Sequence, residues 1–286
     1  MIFQIISINT YYQIRIYTFF FRFKKVFFLL IYTYTFGFVF KLYLKIVLKK
    51  MGKLYDLLSK DIRYHEALKA CINCGTCSAI CPAASFYDYD PLEIMEIVQS
   101  EDEAQLEALL KSEKIWYCGE CMSCAPRCPR GNTPGLLIMA LRKLSQDMGY
   151  FTASEKGRQQ LALKRVIGHS ILESGYCVHV SKVLPEMHPE AGPVWQWIHS
   201  NIQDVWDRAG ANYQGEGKGI LRKIPKETLD EIYKIFEVSG GLEHYKNIEK
   251  YSEQKANEMG VQFDETGDCD YIKKIFTENN GNHSLH

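Results

Sequence analysis

Cys71-Ile-Asn-Cys74-Gly-Thr-Cys77-Ser-Ala-Ile-Cys81-Pro82 and Cys118-Gly-Glu-Cys121-Met-Ser-Cys124-Ala-Pro-Arg-Cys128-Pro129 decide how this 286-residue chain is read. Each spells C-x2-C-x2-C-x3-C-P, and together they hold eight of the ten cysteines. In two-cluster ferredoxins that run holds [4Fe-4S] clusters, and its fourth cysteine ligates the other cluster. Three thiolates at two-residue intervals let one tight loop wrap three corners of a cube. The fourth is set too far round to close the same cube. The spacing therefore assigns one cluster to Cys71, Cys74, Cys77 and Cys128, and a second to Cys118, Cys121, Cys124 and Cys81. Gly75 and Gly119 lie inside the loops, where close approach and a positive φ would call for glycine. Pro82 and Pro129 end the runs and contribute no amide donor.

Other uses of cysteine fit less well. Structural zinc takes separated C-x2-C pairs, four ligands to each ion, which a repeated triplet with a crossing fourth cysteine matches poorly. A disulfide framework suits a small secreted domain. Rieske ligation needs histidine, and neither run contains one.

Charge divides the chain unevenly. Its 34 basic and 34 acidic residues cancel, but Arg15, Arg22, Lys24, Lys25, Lys41, Lys45, Lys49 and Lys50 meet no acid in residues 1–50. The remaining 26 basic residues face all 34 acidic ones, a net charge of −8 that argues against a nucleic-acid partner. Residues 1–50 are a hydrophobic, basic leader. Its longest uncharged run, Val26 to Phe40, is shorter than the ~20 residues that cross a bilayer, though flanking lysines could snorkel. Two readings stand: a start placed too far upstream, with Met51-Gly-Lys-Leu-Tyr-Asp as the ordinary beginning, or a membrane anchor with basic flanks.

From Met51 the pattern is helical. Residues 53–69 space Leu54, Leu57, Leu58, Ile62 and Leu68 at helical intervals. Pro91 opens a helix with Leu92, Met95 and Val98, and Leu106, Leu109 and Leu110 mark another. Two helices between the cysteine runs, where small ferredoxins have strands and turns, point to an all-α fold. Pro134 starts a helix with the stripe Leu137, Leu141, Leu144 and Met148. Thr152-Ala-Ser-Glu155 reads as a capping box for a long helix to about Ser174. Pro193 precedes a helix carrying Trp195, Ile198, Ile202, Val205 and Trp206. Pro225 opens one carrying Leu229, Ile232, Tyr233 and Phe236, closed by Gly240-Gly241, and a charged helix follows over 242–258. The expected organisation is leader 1–50, ferredoxin domain 51–150, helical extension 151–276 and disordered tail 277–286.

Other residues carry weaker signals. Trp116 and Tyr117 abut Cys118 and could shield a cluster or simply pack. Lys114, Arg127 and Arg130 could favour a reduced cluster or dock an acidic partner; a solvated surface explains them equally. The acidic run Asp88, Asp90, Glu93, Glu96, Glu101, Asp102 and Glu103 reads as a solvated face, with docking to a basic partner as the alternative. Cys177 and Cys269 read as free buried thiols. Gly215-Glu-Gly217-Lys-Gly219 matches no phosphate-binding pattern and reads as a flexible loop. No substrate-converting site is visible, so whether the chain is itself an enzyme stays open.

CINCGTCSAICP, KIWYCGECMSCAPRCPRG and LLIMALRKLSQDMGY together resemble the C subunit of heterodisulfide reductase and its bacterial relatives, strongly over about a third of the chain. The resemblance implies an α-helical ferredoxin with two [4Fe-4S] clusters and a helical C-terminal extension. It also implies an electron conduit between a flavoprotein subunit and a catalytic CCG-motif subunit. No Cys-Cys-Gly occurs in this chain, so that chemistry would belong to the partner. The alternative is the iron–sulfur subunit of a membrane-bound, quinone-linked dehydrogenase of the fumarate reductase or glycerol-3-phosphate dehydrogenase type. A zinc-stabilised adaptor without redox function is the third reading. The expected location is cytoplasmic, with contact at the inner face of the plasma membrane through residues 1–50 or a partner.

Overall fold

A computed structural model describes residues 52–185, 191–267 and 269–277; the leader and the tail beyond Thr277 lie outside the described residues. Among the described residues every regular element is helical, and no helix is long and apolar enough to cross a membrane.

Polar caps set the helix boundaries in the first half. The single helix expected over 53–69 is two, α1 (Lys53–Ser59) and α2 (Ile62–Ala67). Between them the Asp61 carboxylate accepts from the Arg63 N–H and starts a new helix. The break leaves Ile62, expected on the apolar stripe, exposed to solvent. Gly75 to Ile80 contains a single turn, α3 (Thr76–Ala79). Asp90 caps α4 (Pro91–Gln99), and Asp102 caps α5 (Glu103–Lys111). Ile94, Met95, Val98, Leu106, Leu109 and Leu110 all turn inward.

The centre is α6 (Pro134–Asp147), which packs against α2, α4 and α5. Its Leu137, Ile138 and Leu141 are almost wholly inaccessible. Burying each such side chain contributes about 2 kcal/mol.

The long helix begins one cap later than the T-x-x-E pattern suggests. Ser154, not Thr152, accepts from the Gly157 N–H, and Glu113 accepts from the Glu155 and Lys156 N–H groups. It runs through α7 (Glu155–Arg158), α8 (Gln160–Leu163), a π-helical turn over Lys164–Gly168, and α9 (His169–Ser174). The apolar stripe after Pro193 is divided at Asn201 into α10 (Gly192–Ser200) and α11 (Ile202–Arg208), neither with a buried residue. Next come α12 (Lys226–Val238) and α13 (Gly241–Glu258), with left-handed Gly240 between them. The last element, α14 (Asp270–Thr277), buries Tyr271, Ile272 and Ile275. Helix α13 lies against α6, so residues of the extension share one hydrophobic cluster with those around the cysteine runs.

Candidate cluster-binding site

The cysteine runs fold into two loops with matching backbones. Asn73 and Gly75 have positive φ in the first (55° and 74°), and Glu120 and Met122 in the second (52° and 57°). These are equivalent positions, two and four residues after the first cysteine. Glycine was expected at the strained positions as Gly75 and Gly119. Gly75 meets that expectation; Gly119 stands where the first loop has Ile72, and Glu120 and Met122 carry the left-handed turns instead. Holding a non-glycine residue there costs of order 1 kcal/mol, sustained by what clamps the loop.

Each loop is clamped by a side chain that no motif singled out. Gln99 Oε1 accepts from Cys71 N–H at 2.9 Å, and its amide nitrogen reaches Cys71 O at 3.3 Å. Asn132 Oδ1 accepts from Lys69 N–H at 2.8 Å. At the second loop Arg142 donates to Ile115 O at 2.7 Å and Cys118 O at 2.6 Å, and pairs with the Glu120 carboxylate. Its guanidinium also lies 5.6 Å from the Trp116 ring centre.

The loops enclose two cavities. One is lined by Cys71, Cys74, Cys77 and Cys128. The other is lined by Cys118, Cys121, Cys124 and Cys81, and also by Cys77. Cys77 and Pro134 border both, so the cavities share a wall. Among the described residues no three His, Cys, Asp or Glu side chains converge closely enough for a single metal ion. The thiols instead surround a space, as a cubane requires. Hydroxyl groups also face them. Thr76 and Ser123 hydroxyls lie 3.4 and 3.5 Å from the Cys74 and Cys121 sulfurs and hold those thiols below their usual range. Burial pushes Cys77 and Cys124 up, although the Gly135 N–H at the start of α6 favours the Cys124 thiolate. Buried Tyr89 lines the second cavity with Cys118, and burial first, then the neighbouring Cys118, pushes its phenol up. Thiol count, partition and donors fit two iron–sulfur cubanes.

The remaining candidates separate cleanly. Trp116 is buried, and Tyr117 stacks on Tyr87 at 4.3 Å. Arg130 lines the first cavity, Arg127 donates to Ser123 O, and Lys114 pairs with Glu93 instead of approaching a cysteine. The acidic run is structural in part. Asp90 and Asp102 are helix caps, and Glu103 accepts from Leu54 N–H at 2.7 Å. Cys269 is buried beside Arg165, whereas Cys177 is exposed, contrary to expectation. The Gly215–Gly219 loop closes around Asn212, whose amide donates to Glu216 O and Lys218 O.

A family model described as a 4Fe-4S dicluster domain matches residues 67–132, which include all eight cysteines. The chain therefore carries two [4Fe-4S] clusters. It is 30% identical over 224 residues to the C subunit of the ferredoxin:CoB-CoM heterodisulfide reductase of Methanosarcina acetivorans, an alignment covering 77% of this chain and 83% of the relative. It is 29% identical over 159 residues to the iron–sulfur C subunit 2 of the CoB–CoM heterodisulfide reductase of Methanocaldococcus jannaschii, covering 54% of this chain and 76% of that one. The C subunit of an H2:CoB-CoM heterodisulfide,ferredoxin reductase from Methanothermobacter thermautotrophicus is 21% identical over 175 residues, covering 61% and 76%.

Proposed function

The chain belongs to the family of heterodisulfide reductase C subunits, and from that premise we propose that it relays electrons between a flavoprotein subunit and a catalytic CCG-motif subunit of one cytoplasmic complex. As an iron–sulfur electron-transfer subunit it supplies the conduit, and the substrate chemistry lies in its partners. Cys71, Cys74, Cys77 and Cys128 hold the first cluster; Cys118, Cys121, Cys124 and Cys81 hold the second. The observation that carries this assignment is that Cys128 lines the cavity of the first run and Cys81 that of the second, with Cys77 bordering both. The clusters supply one-electron carriage when bound.

The protein's own part is to hold them in register and keep water from their buried sides. Cys77 and Pro134 bridge the two cavities, which supports transfer between neighbouring clusters. Exposed Cys74 and Cys121 bring each cluster's edge to the surface, where partners can approach. Membrane contact, where it exists, comes through residues 1–50 or through a partner.

Reconstitution tests this reading. The full chain is mixed with a flavoprotein subunit and a CCG-motif subunit of a heterodisulfide reductase, and flavin reoxidation is followed by stopped-flow. Reoxidation through the CCG-motif subunit should require this chain and fail with a Cys121→Ser variant. Equal rates without the chain would refute the relay.

A further inference from the structure

Asn132 is 1% exposed, lines the first cavity, and has a side-chain nitrogen that is buried without a hydrogen-bond partner. Its orientation is fixed, because Oδ1 already accepts from Lys69 N–H at 2.8 Å. An amide flip would place a donor against a donor, so Nδ2 must carry the unmet hydrogens. A buried donor left unpaired is costly, so an acceptor beside Nδ2 is favoured. The neighbouring wall is no help. Its apolar side, Leu92, Met95 and Pro134, offers nothing better than a thioether, a weak acceptor. A cluster sulfur held in the first cavity, carrying negative charge, would supply that acceptor.

We propose that Asn132 Nδ2 donates a hydrogen bond to a sulfur of the first cluster, an inorganic sulfide or a ligating thiolate, and thereby raises that cluster's reduction potential. The inference rests on the two-cluster reading. Reduction adds negative charge to the cluster, so a neutral donor aimed at it stabilises the reduced form more than the oxidised one. The second cavity has its own buried donor of different chemistry in Tyr89, whose ring is held edge-on to Tyr117 at 6.4 Å.

EPR-monitored redox titration of the anaerobically purified full chain tests the proposal, with iron and sulfide counted in every sample. Asn132→Asp keeps the acceptor for Lys69 N–H and replaces the donor with a carboxylate. At pH 8 its first-cluster reduced-to-oxidised ratio at a given potential should fall about tenfold, which is 59 mV for a one-electron couple. The second cluster's midpoint should stay put. Tyr89→Phe should show the reverse pattern, moving only the second midpoint to lower potential. Unchanged midpoints with full iron content, or both midpoints moving together in Asn132→Asp, would overturn the assignment. Should that variant lose iron, wild-type chain labelled with 15N at the asparagine side-chain amides replaces it. A 15N hyperfine coupling on the first cluster's signal, kept in Asn73→Ala, supports the donor, and its absence refutes it. Wild-type protein without iron and sulfide would instead sink the two-cluster reading itself.

Discussion

Cys128 lies four positions after Cys124, yet it lines the cavity of the other run. The eight-cysteine set was legible in the sequence because its spacing is dictated by cluster geometry. Cys128→Ser should perturb the EPR signal of the first cluster and spare the second; loss of the second signal alone would reverse the crossed assignment. The residues that clamp the loops were not legible. Arg142 sits mid-helix, where an arginine ordinarily reads as solvated, and only the fold brings its guanidinium to Ile115 O, Cys118 O and Glu120 at once. Asn132, likewise, meets Lys69 only through folding. Arg142→Leu should strip three hydrogen bonds from the second loop and lower iron from about eight toward about four atoms per chain. Arg142→Lys should rescue little, since an ammonium cannot span the same fork of acceptors.

The starts of α4 and α6 at Pro91 and Pro134 and the inward leucines of α5 were legible, because proline starts and periodic leucines are local signals. What sequence periodicity missed were the interruptions at Asp61 and Asn201, where local polar groups compete with helix continuation. Helix α14 was also absorbed unseen into the extension. Its Tyr271, Ile272 and Ile275 form only one turn of apolar pattern, too short to stand out. Asp90 does two jobs at the element scale: it caps α4 through Leu92 N–H at 2.7 Å and accepts from the Ser78 hydroxyl of α3. Asp90→Ala should lower unfolding free energy by about 1–2 kcal/mol, read by chemical denaturation. Helix α13 is tied by two carboxylates. Asp147 on α6 meets His244, and Glu249 on α13 meets Arg165 and Lys164. Burial alone, the largest influence on each, would raise both carboxyls. Their combined hydrogen bonds and ion pairs outweigh it and hold both below the ordinary 3.8 and 4.5. Both therefore lend stability that is full above about pH 4.5 and is lost as pH falls through their folded values. Glu249→Gln should be less stable than wild type at pH 7 and the gap should narrow by pH 4, checked by thermal unfolding.

At the scale of the whole molecule, electron relay explains why the chain has two neighbouring cluster cavities. We take residues 51–150 as the ferredoxin part and 151–276 as its extension, even though Phe151, Leu161, Ile248 and Ile275 join the same hydrophobic cluster as Leu137 and Leu141. That shared core means the extension supports the cluster-bearing half as well as following it. A chain starting at Met51 should keep full iron content, and loss of both clusters would show that the leader is needed for folding. The most direct test of the central claim is a count of iron and acid-labile sulfide on anaerobically purified full chain, read with low-temperature EPR after dithionite reduction. About eight irons and eight sulfides per chain with spin-coupled signals are predicted; zinc without sulfide, or a single uncoupled cluster, would contradict it.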